Sequence, residues 1–198
     1  MQLYIIAGPN GSGKSTVIKK LMPTLLQCEE YINVDAIAYG LSPFHPESVA
    51  VQAAKLALKR TQYLIQNKIS FAFETTLSSR TLKFLNDCKS FGYKINIIFL
   101  YLNTVNLAIQ RVEDRVKSGG HQIPVHVIKR RYKRSLFNFI NHYIALADNW
   151  FVYNNSDVGL TLISKQEKDA AITIVNKPLW EHLIEEAKYE YTSENQSF

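Results

Sequence analysis

The sequence predicts an α/β fold in which helices flank a parallel sheet of five strands. Three observations predict it. Short apolar runs alternate with segments of helical spacing up to about residue 155, which is typical of parallel β-α-β units. A glycine-rich stretch, residues 7–16, lies between the first apolar run and the first helix. After residue 155 the alternation stops, so we expect a main domain over 1–155 and a tail over 156–198 that packs on it.

Length and composition limit the class of protein. A chain of 198 residues, 46% of them hydrophobic, is long enough for one domain with a large core. No apolar run approaches the ~18 residues of a membrane span. The first residues enter a strand, so we expect no signal peptide and no membrane association. Cys28 and Cys88 have neither metal nor disulfide spacing, and we therefore expect a reducing, cytoplasmic location.

Five apolar runs are predicted to form the sheet. Residues 3–7 are uninterruptedly apolar, as expected of a parallel strand buried on both faces. The second run, 31–34, ends on Asp35, and the third, 70–73, ends on Glu74. The remaining strands are 95–102 and 150–153.

Spacing and caps predict the helices between these strands. Pro46 stands where N1 prolines stand, Gly92 is expected to end one helix, and Thr104 is expected to cap another. The predicted helices are 15–21, 47–68, 79–91, 104–117 and about 125–147. The apolar face of the longest helix is predicted to contain Ala50, Ala54, Ala57, Leu58, Leu64 and Ile65.

The tail has a different pattern from the main domain. Residues 160–164 and 171–175 are predicted to pair as a β-hairpin around a charged turn. A last helix is expected from Pro178 to about residue 189, and the polar residues after 192 are expected to fray.

The glycine-rich stretch has the spacing G-x-x-x-x-G-K-[ST] of a phosphate-binding loop, or P-loop. Its glycines let the backbone approach phosphate oxygens, and the following helix N-terminus attracts anions. We expect Lys14 to reach the β- and γ-phosphates and the Ser15 hydroxyl to bind Mg²⁺. The alternative is a glycine-rich turn that matches by chance. The predicted nucleotide-binding residues are Gly8, Pro9, Asn10, Gly11, Ser12, Gly13, Lys14, Ser15 and Thr16.

Two acidic residues end predicted strands at the edge that the P-loop marks. Ligands of parallel α/β sheets bind beyond the carboxyl ends of the strands, so Asp35 and Glu74 should face one crevice. One carboxylate can accept the proton of an attacking hydroxyl, and one can orient Mg²⁺ or hold the acceptor. Either could instead be a helix cap or a solvated turn residue. Thr75 and Thr76 are candidates for binding the substrate or capping the next helix.

The whole net charge of +6 comes from residues 111–134, which contain eight Lys or Arg and two Asp or Glu. Arg111 and Arg115 share a helix face, a break at 118–124 follows, and Arg130, Arg131 and Arg134 lie on the returning helix. This layout is typical of a lid that closes over a triphosphate. We expect Arg115 and Arg131 to contact phosphate.

Two other interpretations of this segment remain open beside the lid. A solvated basic helix face and a nucleic-acid surface are the alternatives for the segment as a whole. His121 at the tip could contact phosphate or be an ordinary surface histidine.

Taken together, these motifs resemble the zeta-toxin-like P-loop kinases over roughly residues 3–155. The resemblance depends on the order of four features: the P-loop at 7–16, Asn-x-Asp at 33–35, Phe-Glu-Thr-Thr at 73–76, and the arginine lid with Gly-Gly-His at 119–121. The P-loop alone is unspecific, but the four features in this order are much more specific. The resemblance implies a P-loop kinase of compact chromosomal type.

Family resemblance also implies a chemistry and a partner. The best-known zeta toxins use ATP or GTP to phosphorylate the 3′-hydroxyl of UDP-N-acetylglucosamine, and a small antitoxin inhibits them. By resemblance, Lys14 and Ser15 hold the nucleotide and Mg²⁺, and Asp35 is the catalytic base. The resemblance makes Glu74 and Thr75 acceptor-site residues and makes Arg115 and Arg131 the lid arginines. This chain is shorter than the larger toxins, and its residues 37–47 do not match their sugar-binding elements, so the acceptor stays open.

Two other function classes remain to be separated from the kinase. An ABC-type ATPase carries a similar P-loop, and residues 118–122 resemble its signature loop. However, no apolar run ending in Asp-Glu follows, and the fifth predicted strand leads into Asn154 and Asn155. A nucleic-acid kinase or binding protein is motivated by the basic segment. We favour a phosphotransferase that acts on a hydroxyl of a small acceptor.

Overall fold

The computed structural model describes residues 1–21, 28–120 and 122–188. The strands are β1 Gln2–Ala7, β2 Tyr31–Ile32, β3 Phe71–Thr75, β4 Lys94–Tyr101, β5 Asn149–Asn154, β6 Thr161–Gln166 and β7 Thr173–Ile174. The helices are α1 Lys14–Leu21, α2 Val34–Leu41, α3 Ala50–Gln66, α4 Ser79–Ser90, α5 Val105–Lys117, α6 Val125–Asn138, α7 Ile144–Leu146 and α8 Lys177–Ala187. A 3₁₀ turn, Pro46–Val49, precedes α3, and a π-helical turn, Phe139–Tyr143, joins α6 to α7.

All seven strands form one sheet in the order β2-β3-β1-β4-β5-β6-β7. The first five strands in that order are parallel, and β6 and β7 are antiparallel additions. The prediction of a five-stranded sheet is therefore wrong in number. β5 would have presented an open edge, and the hairpin of the tail satisfies its backbone groups, with Phe151 opposite Lys165.

Both faces of the sheet are covered by helices. Successive side chains of a strand point to opposite faces, and in β1 Ile5 joins the larger core cluster whereas Ile6 joins the smaller one. α1 packs on the smaller cluster through Val17 and Ile18. The larger cluster is closed at its far end by α8, where Trp180 stacks on Trp150 at 5.7 Å and 8°.

Several predicted boundaries are confirmed and explain how the site is placed. The Thr104 hydroxyl accepts the N–H of Leu107 at 3.2 Å, so it caps α5 as expected. Gly92 has φ +84° just after α4, the left-handed conformation expected of a helix-ending glycine. The predicted hairpin and last helix are also present, although the predicted helix end at residue 189 lies outside the described residues.

The second strand is shorter than predicted, and it is followed by a helix that was not predicted. β2 ends at Ile32 because the Asn33 side chain accepts the N–H of Ala36 at 2.8 Å and starts α2. Asparagine favours this N-cap role over a strand interior. Asp35 therefore lies in the first turn of α2 rather than at a strand end.

The predicted face of the long helix is also partly wrong. Ala57 and Leu64 are buried as expected, but Ala54 and Leu58 are exposed. The buried stripe includes Thr61, whose hydroxyl donates to the carbonyl of Ala57 at 2.8 Å. Because its hydroxyl is hydrogen-bonded within its own helix, this polar residue can be buried. The buried face of the helix therefore does not coincide with the purely apolar face that the sequence predicts. The helix predicted over 125–147 is divided by the π-helical turn.

None of the helices within the described ranges has the length and apolar character that crossing a membrane requires.

Candidate active site

The P-loop, residues 8–16, turns tightly between β1 and α1. Gly8, Gly11 and Gly13 have φ values of +141°, +77° and +83°, which side chains rarely tolerate. A Cβ on Gly8 would lie 2.4 Å from the Leu100 carbonyl oxygen, and one on Gly13 would lie 2.6 Å from Asn155 Nδ2. Only glycine fits these positions, so the loop keeps a backbone-lined concavity of the kind that binds phosphate.

Lys14 lies over this loop as the sequence predicts. Its Nζ donates to the carbonyl oxygens of Gly8 and Pro9 at 2.9 and 2.8 Å. Burial lowers the pKa of Lys14 to about 8; the Glu74 carboxylate opposes this shift, and Arg115 adds to it. A bound anion would stabilise the charged form of this buried ammonium group.

Glu74 is held against the start of α1. The Ser15 hydroxyl donates to its two carboxylate oxygens at 3.0 and 2.9 Å, and Asn33 Nδ2 donates to Oε1 at 2.6 Å. The same amide donates to Tyr31 Oη at 3.0 Å. Burial raises the pKa of Tyr31, and the Glu74 charge raises it further. Glu74, which the family resemblance assigns to the acceptor site, thus contacts Ser15, the expected Mg²⁺ ligand.

Asp35 lines the same cleft as the P-loop, although it lies on helix α2 and not at the end of a strand. Its side chain is exposed at the first turn of α2. It is close enough to raise the pKa of both Lys14 and Arg131 against the larger lowering effect of burial. Asp35 and Glu74 therefore line one crevice, as expected from the sequence.

The arginines of the basic segment have different roles. Arg111 donates to the carbonyl oxygens of Asn155 and Ser156 at 2.6 and 3.1 Å, which ties α5 to the end of β5. Arg131 Nη1 lies 3.4 Å from Asn10 Oδ1 in the P-loop. Arg115 lines the same cleft. Arg130 and Arg134 are not part of its wall, and His121 lies outside the described residues.

These side chains surround a cleft of about 440 Å³, which we call the phosphate cleft. Among the described residues its wall carries four cations and two carboxylates. They are Lys14, Arg111, Arg115, Arg131, Asp35 and Glu74. The surplus of positive charge suits a polyanion.

Thr75 and Thr76 also line the phosphate cleft. Thr75 Oγ1 accepts the N–H of Leu77 at 3.0 Å. Neither threonine caps the next helix, because the N-cap position of α4 is Ser78. The Thr75 hydroxyl therefore stabilises the turn that follows β3, and both threonines line the cleft.

The residues fit a nucleotide and Mg²⁺. The P-loop lines the cleft through Asn10, Gly11 and Gly13–Thr16, so its backbone can approach a triphosphate. The oxygens of Ser15 and Glu74 are hard donors of the kind that Mg²⁺ prefers. No cluster of three or more His, Cys, Asp or Glu capable of holding a metal exists within the described ranges. In Mg²⁺–nucleotide sites generally, phosphate oxygens and water supply several of the ligands.

Asn155 is a site residue that sequence reasoning missed. Its Nδ2 donates to the Ser12 carbonyl oxygen at 2.8 Å and braces the P-loop from the end of β5. The available signal was its position just after the fifth strand, at the same sheet edge as the P-loop. Tyr31 was missed for a different reason: a tyrosine in a predicted strand is expected to be a core residue.

Comparison with known proteins gives a family match over most of the chain. Residues 2–160 match the model of the zeta toxin family. A protein of Haemophilus influenzae, itself described as uncharacterised, is 32% identical over 126 residues, which cover 63% of this chain and 88% of that protein.

Solved structures show where the fold recurs. The AvrRxo1-ORF1:AvrRxo1-ORF2 complex with sulphate ions superposes with a TM-score of 0.76 at 16% identity, covering 96% of this chain. The chain spans only 65% of the length of that protein. The same complex with ATP gives 0.74 at 16% identity, with 96% and 65% of the two chains covered. The PezAT chromosomal toxin–antitoxin system of Streptococcus pneumoniae gives 0.62 at 13%, covering 97% of this chain and 80% of that one. At these identities the likeness concerns the fold.

Proposed function

The chain belongs to the zeta toxin family of P-loop kinases, and on that premise we propose that it transfers the γ-phosphoryl group of ATP or GTP to a hydroxyl of a small acceptor. One observation carries the proposal. Asp35, an exposed carboxylate, lines the same cleft as Lys14 and the lid arginines Arg115 and Arg131. A base, a phosphate anchor and charge-stabilising groups are the parts that phosphoryl transfer requires.

On the nucleotide side, the chain binds and positions a triphosphate. The P-loop amides and Lys14 hold the phosphates, while Asn155 and Arg111 keep the loop and α5 in place. Ser15 and Glu74 are the residues that would hold Mg²⁺. When bound, Mg²⁺ neutralises part of the charge that develops on the phosphoryl group. An ATP-bound structure among the fold neighbours supports ATP as donor.

On the acceptor side, Asp35 takes the proton of the attacking hydroxyl. The acceptor oxygen forms a bond to the γ-phosphorus, the bond from that phosphorus to the β-phosphate oxygen breaks, and the nucleoside diphosphate leaves. Arg115 and Arg131 stabilise the charge on the transferred group. Thr75, Thr76 and Glu74 border the space in which the acceptor would lie. UDP-N-acetylglucosamine is the acceptor suggested by the family resemblance.

A kinase assay with a matched pair of variants tests this function. Wild-type protein, Asp35→Asn and Asp87→Asn are incubated with γ-³²P-ATP and a small-metabolite extract; Asp87 is an exposed carboxylate on α4 outside the cleft. We expect Asp35→Asn to reduce transfer by about 10²–10⁴-fold, the usual contribution of a general base, with ATP affinity retained. Asp87→Asn should behave as wild type, and Lys14→Ala should lose nucleotide affinity.

The same assay separates the other function classes. Hydrolysis of ATP without an acceptor, unaffected by Asp35→Asn, would overturn the kinase and favour a coupled ATPase. Binding to DNA or RNA that weakens steeply with salt would favour a nucleic-acid protein. Arg111 and Arg131 argue against the second outcome, because both turn into the phosphate cleft.

We also propose an antitoxin protein as a partner, in a cytoplasmic setting. The support is that PezAT, a fold neighbour, is a toxin–antitoxin system, and that AvrRxo1-ORF1 was solved as a complex with a second protein. Expression of the chain alone should then slow growth, and co-expression of its antitoxin should restore growth. Normal growth on expression of active protein alone would contradict toxicity.

A further inference from the structure

The side chain of Asn33 connects the two elements that carry the carboxylates of the phosphate cleft. Its Oδ1 accepts the N–H of Ala36 at 2.8 Å and starts α2, whose first turn contains Asp35. Its Nδ2 donates to Oε1 of Glu74, on β3, at 2.6 Å. One short side chain therefore holds both the start of α2 and the Glu74 carboxylate.

Every polar atom of the Asn33 amide has a partner. Nδ2 donates to Tyr31 Oη at 3.0 Å as well as to Glu74, and Oδ1 accepts from Ala36. The reverse orientation would place the amide NH₂ group against the Ala36 N–H and the amide oxygen against the Glu74 carboxylate. A residue that only capped α2 would need the oxygen alone. The two bonds made by the nitrogen therefore indicate a second role, the placement of Glu74.

The contacts of Glu74 continue this connection to the P-loop. The Ser15 hydroxyl, in the first turn of α1, donates to the two Glu74 carboxylate oxygens at 3.0 and 2.9 Å. A continuous series of hydrogen bonds thus runs from the start of α2, through Asn33 and Glu74, to Ser15. Displacements of about 1 Å in an active site can cost ~10²-fold in rate, so a residue that sets these positions affects the reaction without touching the reacting atoms.

We propose that Asn33 is a positioning residue for phosphoryl transfer. It fixes the placement of Asp35, the base, relative to Glu74, the carboxylate beside Ser15. The inference rests on the proposed kinase function. Asn33 acts through these neighbours, by one bond that starts α2 and one bond that holds Glu74, and the two bonds can be separated by substitution.

Asn33→Ser removes the bond to Glu74 and keeps the cap. Serine is as good an N-cap as asparagine, but its side chain ends one bond short of the position of Nδ2. We expect kcat to fall roughly tenfold or more in the transfer assay, with the KM for ATP within about threefold of wild type. Asn176→Ser is the matched control, because Asn176 caps α8 through the N–H of Leu179 at 3.1 Å and is not in the wall of the phosphate cleft. Its kinetics should match those of the wild type.

Asn33→Asp tests the contact with Glu74 without any acceptor. It also keeps the cap, but it places a second carboxyl group beside Glu74, so one of the two should have a raised pKa. Stability gained from a raised carboxyl pKa is present below the unfolded value of about 4 and is lost as pH rises. The Tm deficit relative to wild type should therefore be small near about pH 4.5 and grow by about 3 °C or more by about pH 7.5. The other titratable groups around this pair are common to both proteins: Tyr31, Lys14, Asp35, Arg111, Arg115 and Arg131.

A double variant and the cap control complete the test. Asn33→Asp with Glu74→Gln exchanges the amide and the carboxylate, so it should abolish the growth of the Tm deficit with pH. Asn176→Asp should show no such growth. A deficit in Asn33→Asp that does not depend on pH, or that persists in the double variant, would overturn the inference, as would wild-type kcat in Asn33→Ser. Each of these results leaves the kinase standing, whereas absence of transfer by the wild type would overturn the kinase and this inference with it.

Discussion

At the scale of single residues, the most informative group is Lys14. Its pKa of about 8 without ligand results mainly from burial, and bound phosphates would raise that pKa by favouring the charged form. ATP affinity should then be nearly constant below about pH 8. Above that, affinity should fall with rising pH, because an increasing fraction of Lys14 must take up a proton on binding. Calorimetric or fluorescence titrations of ATP between about pH 7.5 and 9.5 measure this profile.

A neighbouring variant controls the Lys14 prediction. The Glu74 carboxylate raises the Lys14 pKa, so Glu74→Gln should move the decline in affinity to lower pH. Lys14→Arg should remove the decline, since arginine stays protonated over this range. If the ATP affinity of the wild type did not change with pH over this range, the pKa of Lys14 could not lie at about 8.

Arg131 should contribute to turnover more than to binding. It lies 3.4 Å from Asn10 in the P-loop and lines the phosphate cleft. Preorganised cations act most strongly on the charge of the transition state. We expect Arg131→Ala to lower kcat about 10²-fold or more, with a smaller change in ATP affinity. Arg130→Ala is the neighbouring control on α6, because Arg130 does not line the cleft. Full turnover in Arg131→Ala would remove this residue from the mechanism.

At this scale, sequence identifies residues whose chemistry is encoded by local spacing. The P-loop and the positions of Lys14 and Ser15 follow from the motif, whereas Asp35 lines the cleft from the first turn of α2 rather than from the predicted strand end. The Asn155 bond to the P-loop could not be predicted in the same way, because it joins residues 143 positions apart. Whether an arginine turns into a cleft or, like Arg111, also holds carbonyl groups is decided by tertiary contacts.

At the scale of elements, the glycine turn after α5 contacts Arg115 directly and should fix its position. The N–H of Gly120 donates to the Arg115 carbonyl oxygen at 2.9 Å. A Cβ on Gly120 would lie 2.7 Å from Arg115 Cγ and 2.9 Å from that carbonyl oxygen. Gly120→Ala should displace Arg115 and lower kcat roughly tenfold or more, the typical effect of small misplacements in an active site.

Gly40→Ala is the control for the Gly120→Ala variant. A Cβ on Gly40 meets nothing within 4 Å, and the glycine lies within α2. Its kinetics should match those of the wild type, measured in the same transfer assay. Equal kcat values for the two variants would show that the Gly120 contact does not position Arg115.

Elements with long apolar runs were predicted most accurately, and short ones least. β4 differs from its prediction by one residue at each end, because eight successive apolar or buried positions fit only a central strand. β2 has two residues, and Asn33 competes for its end by capping α2. The hydrogen bond of the Asn33 side chain thus sets the end of β2, and hydrophobic periodicity alone does not predict that boundary.

At the scale of the whole molecule, sheet pairing and charge both depend on long-range arrangement. The hairpin was predicted correctly from its local pattern, but its pairing with β5 requires knowing which sheet edge is open. Its addition makes a sheet of seven strands. The basic surplus of residues 111–134 could be counted from the sequence, yet only the fold directs three of its arginines into one cleft.

That concentration of charge should steer ATP toward the cleft. Lys129 is exposed on α6 and outside the cleft wall, so it can affect the approach of an anion without contacting the bound one. Lys129→Glu should slow association of a fluorescent ATP analogue roughly twofold at low salt and leave dissociation unchanged. The difference from wild type should shrink above ~0.1 M salt, where the screening length is about 10 Å. Lys168→Glu makes the same charge change on the β6–β7 turn. Stopped-flow rates that respond equally to both variants would show that net charge, rather than the position of the charge on α6, governs association.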